Sequence, residues 1–271
     1  MAAASLLASP QRLAERVGRG LERGLDEFGY AAALLAESLY WITWGRRRHQ
    51  PVRAAQVFAE MMEFGVRAIP IVSILAATIG AMLAIQGIDQ LRRFGAESQV
   101  VLGIAISMTR EFAPVITGIV VAGRSGSALA ARLGTMTINQ EIDALQVMGI
   151  SPVRFLAAPA LLAMLVMLPC LTALAVFVGL LGAGLYVTLD LGMSMAAYWD
   201  NTRDALQVGD LLQGIYKSGL FAVLITVIGV VNGASVEGGA EGVGRATTRS
   251  VVQSISAIVI ADMIVAFLLT R

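Results

Sequence analysis

The chain has 271 residues, of which 57% are hydrophobic and only 14% are charged, and its net charge is close to +1. An ordinary soluble domain carries roughly 25% charged residues, so this composition excludes a single buried core with a hydrated surface. Charge-free stretches such as 68–88 and 155–189 match or exceed the ~20 residues that a helix needs to cross a bilayer. We therefore expect an all-α, polytopic integral membrane protein.

The rare residue types exclude several kinds of chemistry. The chain contains one histidine (His49), one cysteine (Cys170) and one lysine (Lys217). A zinc site, a disulfide and a Ser–His or Cys–His catalytic pair all need partners that these counts do not provide. A phosphate-binding loop needs a lysine after its glycines, and Lys217 follows no such loop. We therefore predict no catalytic residue, no metal and no cofactor, and the near-neutral charge does not indicate a nucleic-acid partner.

Two amphipathic regions precede the first charge-free stretch. Residues 1–28 mix basic and acidic side chains with leucine and valine at four-residue spacing, which predicts a surface helix. Residues 29–44 end in aromatic residues followed by arginines, which is typical of the lipid headgroup level and favours an interfacial or half-inserted helix. A tilted transmembrane span is the alternative. Pro51 then precedes a second amphipathic segment, 52–66, so 1–66 are predicted to be an interfacial N-terminal region.

Five membrane spans are predicted in the remaining domain, residues 67–271. Arginines and lysines in the loops set their orientation, because the cytoplasmic side holds the excess. Fourteen of these residues lie on the side of the N-terminus and four lie on the opposite side. We expect a cytoplasmic N-terminus and, because the number of spans is odd, a C-terminus on the far side. The predicted spans are 67–88, 98–123, 154–187 (with Pro159 and Pro169 as candidate kinks), 208–234 and 250–270.

The segment between the second and third spans predicts a short helix outside the membrane. Thr137 followed by Gln140 is a capping-box pattern that starts a new helix, and Gly149, Ser151 and Pro152 end it. Small residues upstream recur at four-residue spacing on one face, where another helix or subunit can approach closely. These small residues are Gly126, Ala130 and Gly134.

This short helix has an apolar stripe and outward-facing acidic residues. It is either a docking helix for a partner on the cytoplasmic side or a helix that lies passively on the membrane. We place the whole element near residues 124–149. The stripe consists of Ile138, Ile142 and Leu145, and the acidic residues are Glu141 and Asp143.

Four ordered motifs resemble a known family. They are IQG at 85–87, REFAP at 110–114, GRSGSALAARLGTM…EIDALQVMG from 123, and GGAEGVGRATTRSVV…IADMIV from 238. Together these motifs look like the MlaE/YrbE permeases, which are membrane subunits of ABC lipid transporters that work with MCE-domain proteins. The resemblance covers about residues 28–270.

The resemblance implies a homodimeric permease of the bacterial inner membrane, with its N-terminus in the cytoplasm and its C-terminus in the periplasm. It implies a pair of cytoplasmic ABC ATPase subunits docked on the helix near 137–148, which would hydrolyse ATP because this chain has no nucleotide site. It further implies an MCE-domain protein on the periplasmic side and allows for a small cytoplasmic STAS-domain protein. The implied activity is the movement of phospholipids between the inner and outer membranes.

Four charged residues lie inside the predicted spans. Each costs about 2.5–3.5 kcal/mol at a helix centre, so they should face one another, a cavity or a partner. The resemblance suggests that they form a polar cluster, whose role is either to fix helix packing or to bind a lipid headgroup. A proton relay through the two carboxylates is a further alternative. The four residues are Arg110, Glu111, Lys217 and Asp262.

A two-chain lipid needs a wide apolar cavity with a polar mouth, and a dimer interface can supply one. We predict that the first and fifth spans line it in their outer halves. The rival hypotheses are a proton-coupled secondary transporter and a passive membrane scaffold. The candidate lipid-pathway residues are Leu83, Gln86, Ile88 and Met263.

Overall fold

A computed structural model describes residues 29–45 and 51–269. Within these ranges the regular structure is entirely helical and contains no strand, which confirms the predicted all-α class. The amphipathic helix predicted for residues 1–28, the basic residues at 46–49 and the last two residues of the chain lie outside the described residues.

Long helices alternate with short connecting ones along the described chain. Two 3-10 turns and three π-helical turns join several of them into longer rods. The 3-10 turns are Val66–Ala68 and Glu97–Gln99, and the π-helical turns are Met108–Phe112, Ala122–Gly126 and Val153–Ala157. The helices are α1 (29–44), α2 (Ala54–Phe64), α3 (Ile69–Arg92), α4 (Val100–Ser107), α5 (Ala113–Val121), α6 (Ser127–Ile138), α7 (Glu141–Val147), α8 (Ala158–Leu191), α9 (Met195–Ala205), α10 (Val208–Ala234) and α11 (Gly239–Leu269).

Five helical rods in the described part of the chain are long and apolar enough to cross a membrane, as predicted. The second rod continues to Ile138 instead of ending at 123, and the fifth begins at Gly239 instead of 250. The second rod stays helical because α6 packs along α10 and α11. The rods are Ala54–Arg92, Glu97–Ile138, Val153–Leu191, Val208–Ala234 and Gly239–Leu269.

Helix α8 is the centre of the bundle. It has 34 residues, and α2, α3, α5 and α10 all pack against it. At Gly80 of α3, an added Cβ atom would lie 1.9 Å from the Gly179 carbonyl oxygen of α8, so this crossing requires glycine. Pro159 lies in the first turn of α8, where a missing N–H group is tolerated, and the helix continues past Pro169 to Leu191.

The bundle has an α7 end and an α9 end, named after the short helix at each. At the α9 end, Arg92 of α3 pairs with Asp190 of α8 at 2.5 Å. Helix α9 is fastened by Tyr198, whose hydroxyl donates a 2.9 Å hydrogen bond to the Leu180 carbonyl oxygen. Burial raises the pKa of Tyr198 to about 12, because the phenolate would lose its hydration there.

Helix α1 lies at the α7 end against the start of the third rod. Ser151 Oγ lies 3.1 Å from Glu37 Oε1, and the Arg154 guanidinium lies 5.4 Å from the centroid of the Trp41 ring. The described part of α1 covers residues 29–44.

Candidate functional site

A π-helical turn inside the second rod presents two of the predicted intramembrane charges. Met108–Phe112 form this turn, and the N–H group of Ala113 bonds to the Met108 carbonyl oxygen five residues earlier. Pro114 follows and has no N–H group to continue the α-helical pattern. The turn places Arg110 and Glu111 toward α10, where each meets a residue of opposite charge.

Lys217 of α10 lies between two carboxylates. Its Nζ atom donates a hydrogen bond of 2.5 Å to Glu111 Oε2 and lies 2.9 Å from Asp262 Oδ1 of α11. The second contact lacks the angles of a hydrogen bond, so its attraction is Coulombic. The Lys217 side chain is fully buried, whereas 40% of the Glu111 side chain is exposed. Three of the four predicted intramembrane charges therefore form one ion-pair cluster.

Arg110, the fourth predicted charge, pairs with Asp210, which lies at the start of the fourth predicted span. Its Nε atom donates a 2.6 Å hydrogen bond to Oδ1 of Asp210. Asp210 is only 3% exposed and lies in the first turn of α10, where its Oδ2 atom also accepts the Gln207 N–H group at 2.9 Å. The sequence analysis does not predict this partner, although α10 begins at Val208, where the fourth span was expected to begin.

The two ion-pair groups share one face of α10. Asp210 and Lys217 are seven residues apart, which is two helical turns. Gly214 lies between them, and an added Cβ atom there would lie 2.5 Å from the carbonyl oxygen of Thr109. Helix α10 thus approaches the π-helical turn closely enough for both pairs to form.

A cavity of about 370 Å³ lies between α3 and α4 toward the α9 end. It has an apolar lining interrupted by amide and hydroxyl groups and by one carboxylate, Asp89, which suits a lipid near its headgroup. Two predicted lipid-pathway residues, Leu83 and Gln86, line it. The other lining residues are Gly87, Asp89, Gln90, Leu91, Val100, Gly103, Ile104 and Ser107.

The remaining two predicted lipid-pathway residues lie elsewhere. Ile88 is only 2% exposed and belongs to the hydrophobic core, so its selection as a lipid contact is corrected. It does not line the cavity, although its neighbours Gly87 and Asp89 do. Met263 is 65% exposed on the outer surface of α11 and does not line this cavity.

The start of the short helix α7 differs from its prediction. Thr137 remains in α6, where its hydroxyl lies near the carbonyl oxygens of Leu133 and Gly233, at 2.9 and 3.2 Å. Helix α7 begins after Gln140, which has a left-handed backbone (φ 59°) and makes no side-chain cap. The predicted capping box is therefore wrong. Ile138 accordingly ends α6 and is not part of α7.

The burial of the α7 side chains also differs from the predicted apolar stripe. Ile142 and Leu145 are half-buried and pack against the core of the bundle. Glu141 and Asp143 are exposed, in agreement with the outward orientation expected for them. The exposed apolar residues at the end of α7 are Val147 (89%) and Met148 (64%), which the sequence analysis did not select.

The helix ends as the sequence predicts. Gly149 adopts a left-handed backbone (φ 73°), and the Ile150 N–H group bonds to the Leu145 carbonyl oxygen at 2.9 Å. Within the described ranges, no group of histidine, cysteine and acidic residues is arranged to hold a metal ion.

Five rods that are long and apolar enough to cross a membrane, with a short helix exposed at one end, define a multi-pass membrane protein. Residues 57–268 match the family model described as Permease MlaE, so the chain belongs to the MlaE permease family. It is therefore a non-catalytic membrane subunit of an ABC transporter, a system that implies a partner ATPase.

Individual relatives agree with this assignment. The chain is 32% identical over 209 residues to the intermembrane phospholipid transport system permease protein MlaE of Haemophilus influenzae, covering 77% of this chain and 78% of that protein. It is 33% identical over 215 residues to a probable ABC transporter permease protein of Rickettsia felis, covering 79% and 83%. It is 38% identical over 194 residues to the chloroplastic protein TRIGALACTOSYLDIACYLGLYCEROL 1 of Arabidopsis thaliana, covering 71% and 55%.

Proposed function

We propose that the chain moves phospholipids as the permease of an ABC transporter in the bacterial inner membrane, acting between the inner and outer membranes. The observation that carries this proposal is the α3–α4 cavity, which combines an apolar wall with amide and hydroxyl side chains and the carboxylate of Asp89. Such a mixed lining fits an amphipathic substrate with a polar headgroup. The Haemophilus relative, named as a phospholipid transport permease, supports the same substrate class.

A second copy of the chain completes the proposed transporter. Much of the apolar surface of α11 is uncovered in one chain: Val259, Ile260, Met263 and Phe267 are each more than half exposed. A two-chain lipid also needs more room than the 370 Å³ cavity of one chain. A homodimer that packs along this helix would cover the apolar surface and enlarge the cavity.

The α7 end is proposed to face the cytoplasm. The fourteen-to-four excess of arginine and lysine on that side supports this orientation. Residues 1–66 would then form the interfacial region and 67–271 the permease domain, with the C-terminus in the periplasm. An MCE-domain protein would bind at the α9 end, and a STAS-domain protein would bind on the cytoplasmic side.

Single-cysteine labelling tests this orientation. In a Cys170→Ser background, a cysteine at Ser194 should react with an impermeant reagent added from the periplasm. A cysteine at Asn139 should react only after the inner membrane is opened. Labelling of both positions from the same side would contradict the proposed topology.

Helix α7 is proposed to dock the ATPase through its exposed apolar end. Val147 and Met148 would enter a groove on the ATPase, while Ile142 and Leu145 hold the helix on the bundle. A charge placed in a docking groove is costly to bury, whereas a charge at the rim changes little. The exposed Glu141 is such a rim residue.

The decisive experiment uses the complex purified with its ATPase and reconstituted in phospholipid vesicles. We expect Val147→Asp and Met148→Asp to release the ATPase while the permease stays folded, and Glu141→Lys to retain it. Transfer of a fluorescent phospholipid should require ATP and should stop in both aspartate variants. Transfer that follows a proton gradient without ATP would instead support a secondary transporter, and no transfer under either condition would favour a scaffold.

A further inference from the structure

Helix α2 carries a buried carboxylate, Glu60. Glu60 is only 5% exposed, whereas the apolar Phe58 and Met62 of the same helix are 66% and 57% exposed. It lies between Val57 and Phe64 along the face that packs on the core. Its Oε1 atom lies 2.6 Å from Nη2 of Arg132, which is on α6.

Two further contacts connect α2 with the second rod. The Arg132 guanidinium lies 6.0 Å from the centroid of the Phe64 ring, within the range of a cation–π interaction. Ser125 Oγ donates a hydrogen bond of 3.3 Å to the Phe64 carbonyl oxygen. The end of α2 is therefore held by α6 and by the turn before it.

These contacts join the helix that leads into α7 to the rod that lines the cavity. Helix α6 leads into α7 through two residues, so α7 cannot move far without α6. Helix α2 continues through the 3-10 turn Val66–Ala68 into α3, whose Leu83 and Gln86 line the cavity. Helices α2 and α3 pack mainly on α8, whereas α6 packs mainly on α10 and α11.

We infer that Glu60 and Arg132 are positioning residues that transmit movement of α7 to α3 and so couple the ATPase to the lipid cavity. This inference rests on the proposed function, in which α7 docks the ATPase and the α3–α4 cavity admits lipid. Loss of Arg132 would leave a buried carboxylate without its cation, which is strongly unfavourable, so the two helices move together while the pair is intact.

The chemistry of the pair distinguishes it from an ordinary surface contact. The nearby pair Glu63–Arg67 lies within one rod, with side chains 40% and 65% exposed, so solvent screens it and it connects no separate elements. Glu60, in contrast, joins two rods, and its side chain is only 6% exposed, while that of its partner Arg132 is 41% exposed. Its Oε2 atom has no hydrogen-bond partner among the described residues, so the carboxylate still has acceptor capacity for a rearranged contact.

The test compares Glu60→Gln, Arg132→Gln and the double variant with Glu63→Gln as the matched control on the same helix. Each is purified with the ATPase, and both ATP hydrolysis and transfer of a fluorescent phospholipid are measured on the same vesicles. The readout is the number of lipids moved per ATP, which a general loss of folded protein does not change. We expect this ratio to fall roughly tenfold in both single variants, within the usual range of coupling between sites, with Glu63→Gln unchanged and the ATPase still bound.

If a single variant unfolds, the double variant still tests the inference. Removal of both charges avoids an unpaired buried carboxylate, so it should fold while its lipid-to-ATP ratio stays low. A normal ratio in the folded double variant would overturn the inference, and so would an equal loss in Glu63→Gln. Failure of the proposed function appears separately, because the unmodified complex would then move no lipid with ATP.

Discussion

Arg110 and Asp210 lie one hundred positions apart in the chain, yet Nε of the arginine donates a 2.6 Å hydrogen bond to Oδ1 of the aspartate. The same aspartate accepts the backbone N–H group of Gln207 and thereby holds the first turn of α10. The N-terminus of α10 is therefore fixed both by its own backbone and by the π-helical turn of the second rod.

Asp210→Asn should destabilise the protein through this double role. The amide keeps an oxygen for Gln207 but leaves the Arg110 guanidinium without its counter-charge. We expect the free energy of unfolding to fall by about 2 kcal/mol, less than for a fully buried pair because 43% of the Arg110 side chain is exposed. Denaturant unfolding in detergent measures the change.

Asp89→Asn is the matched control for that measurement. Asp89 pairs with Arg93 on α3, and both side chains are about two-thirds exposed or more, at 67% and 71%. Such a pair contributes only about 0–1 kcal/mol. Equal losses in both aspartate variants would show that the burial of Asp210 adds nothing to its interaction with Arg110.

Lys217→Met should be more damaging than the loss of either of its carboxylate partners. It leaves Glu111 and Asp262 facing each other without a cation, and the Asp262 side chain is only 19% exposed. Glu111→Gln leaves the Lys217–Asp262 contact in place and should cost less. Unfolding free energies of the single variants and of Glu111→Gln/Lys217→Met give the coupling energy, which we expect to be about 0.5–3 kcal/mol.

Strictly additive losses would contradict a shared cluster. Lipid transfer by the same variants then decides between the two roles proposed for it. If the cluster only fixes helix packing, transfer per folded molecule is unchanged in Glu111→Gln. If it binds the headgroup, transfer falls in that variant even where its stability is close to that of the unmodified protein.

The overall fold could be predicted because it depends on span length and apolar composition. Five spans, the interruption near Pro51 and the end of α7 at Gly149 all follow from local rules that neighbouring helices do not override. The bounds of the spans could not be predicted equally well. Helix α6 continues to Ile138 because α10 packs along it, and that contact is a property of the folded bundle.

The candidate site could be predicted only in part. A charge inside an apolar stretch is visible in the sequence, which is why Lys217 and Asp262 were selected. Asp210, at the start of its span, and Glu60, before the first predicted span, could not be predicted because each becomes buried only through tertiary contacts. One signal for Glu60 was available: it lies on the apolar side of an amphipathic helix, next to Val57 and Phe64.

Gly214→Ala should disturb both ion-pair groups without changing any charge. The added Cβ atom would lie 2.5 Å from the Thr109 carbonyl oxygen, so α10 must move away from the π-helical turn. We expect stability to fall by about 1–3 kcal/mol, and lipid transfer to fall with it. Gly219→Ala on the same helix meets no atom within 4 Å and should leave both measurements unchanged.

A double-mutant cycle tests whether Gly214→Ala acts through the ion pairs. In a Glu111→Gln/Lys217→Met background the distance between α10 and the turn matters less, so Gly214→Ala should cost less there than in the unmodified protein. An equal cost in both backgrounds would mean that Gly214 serves helix packing alone.

Gly103→Leu should block the lipid pathway without harming the fold. Gly103 lines the α3–α4 cavity, and an added Cβ atom there meets no atom within 4 Å, so a larger side chain occupies empty space instead of displacing backbone. Filling a cavity with apolar atoms is neutral or stabilising when no strain results. We expect unchanged or slightly higher thermal stability, normal ATPase binding and a clear loss of phospholipid transfer.

Gly219→Leu is the size-matched control outside this cavity and should transfer lipid normally. If Gly103→Leu transfers lipid at the rate of its control, the cavity between α3 and α4 is not on the path, and the lipid must cross at another surface of the permease.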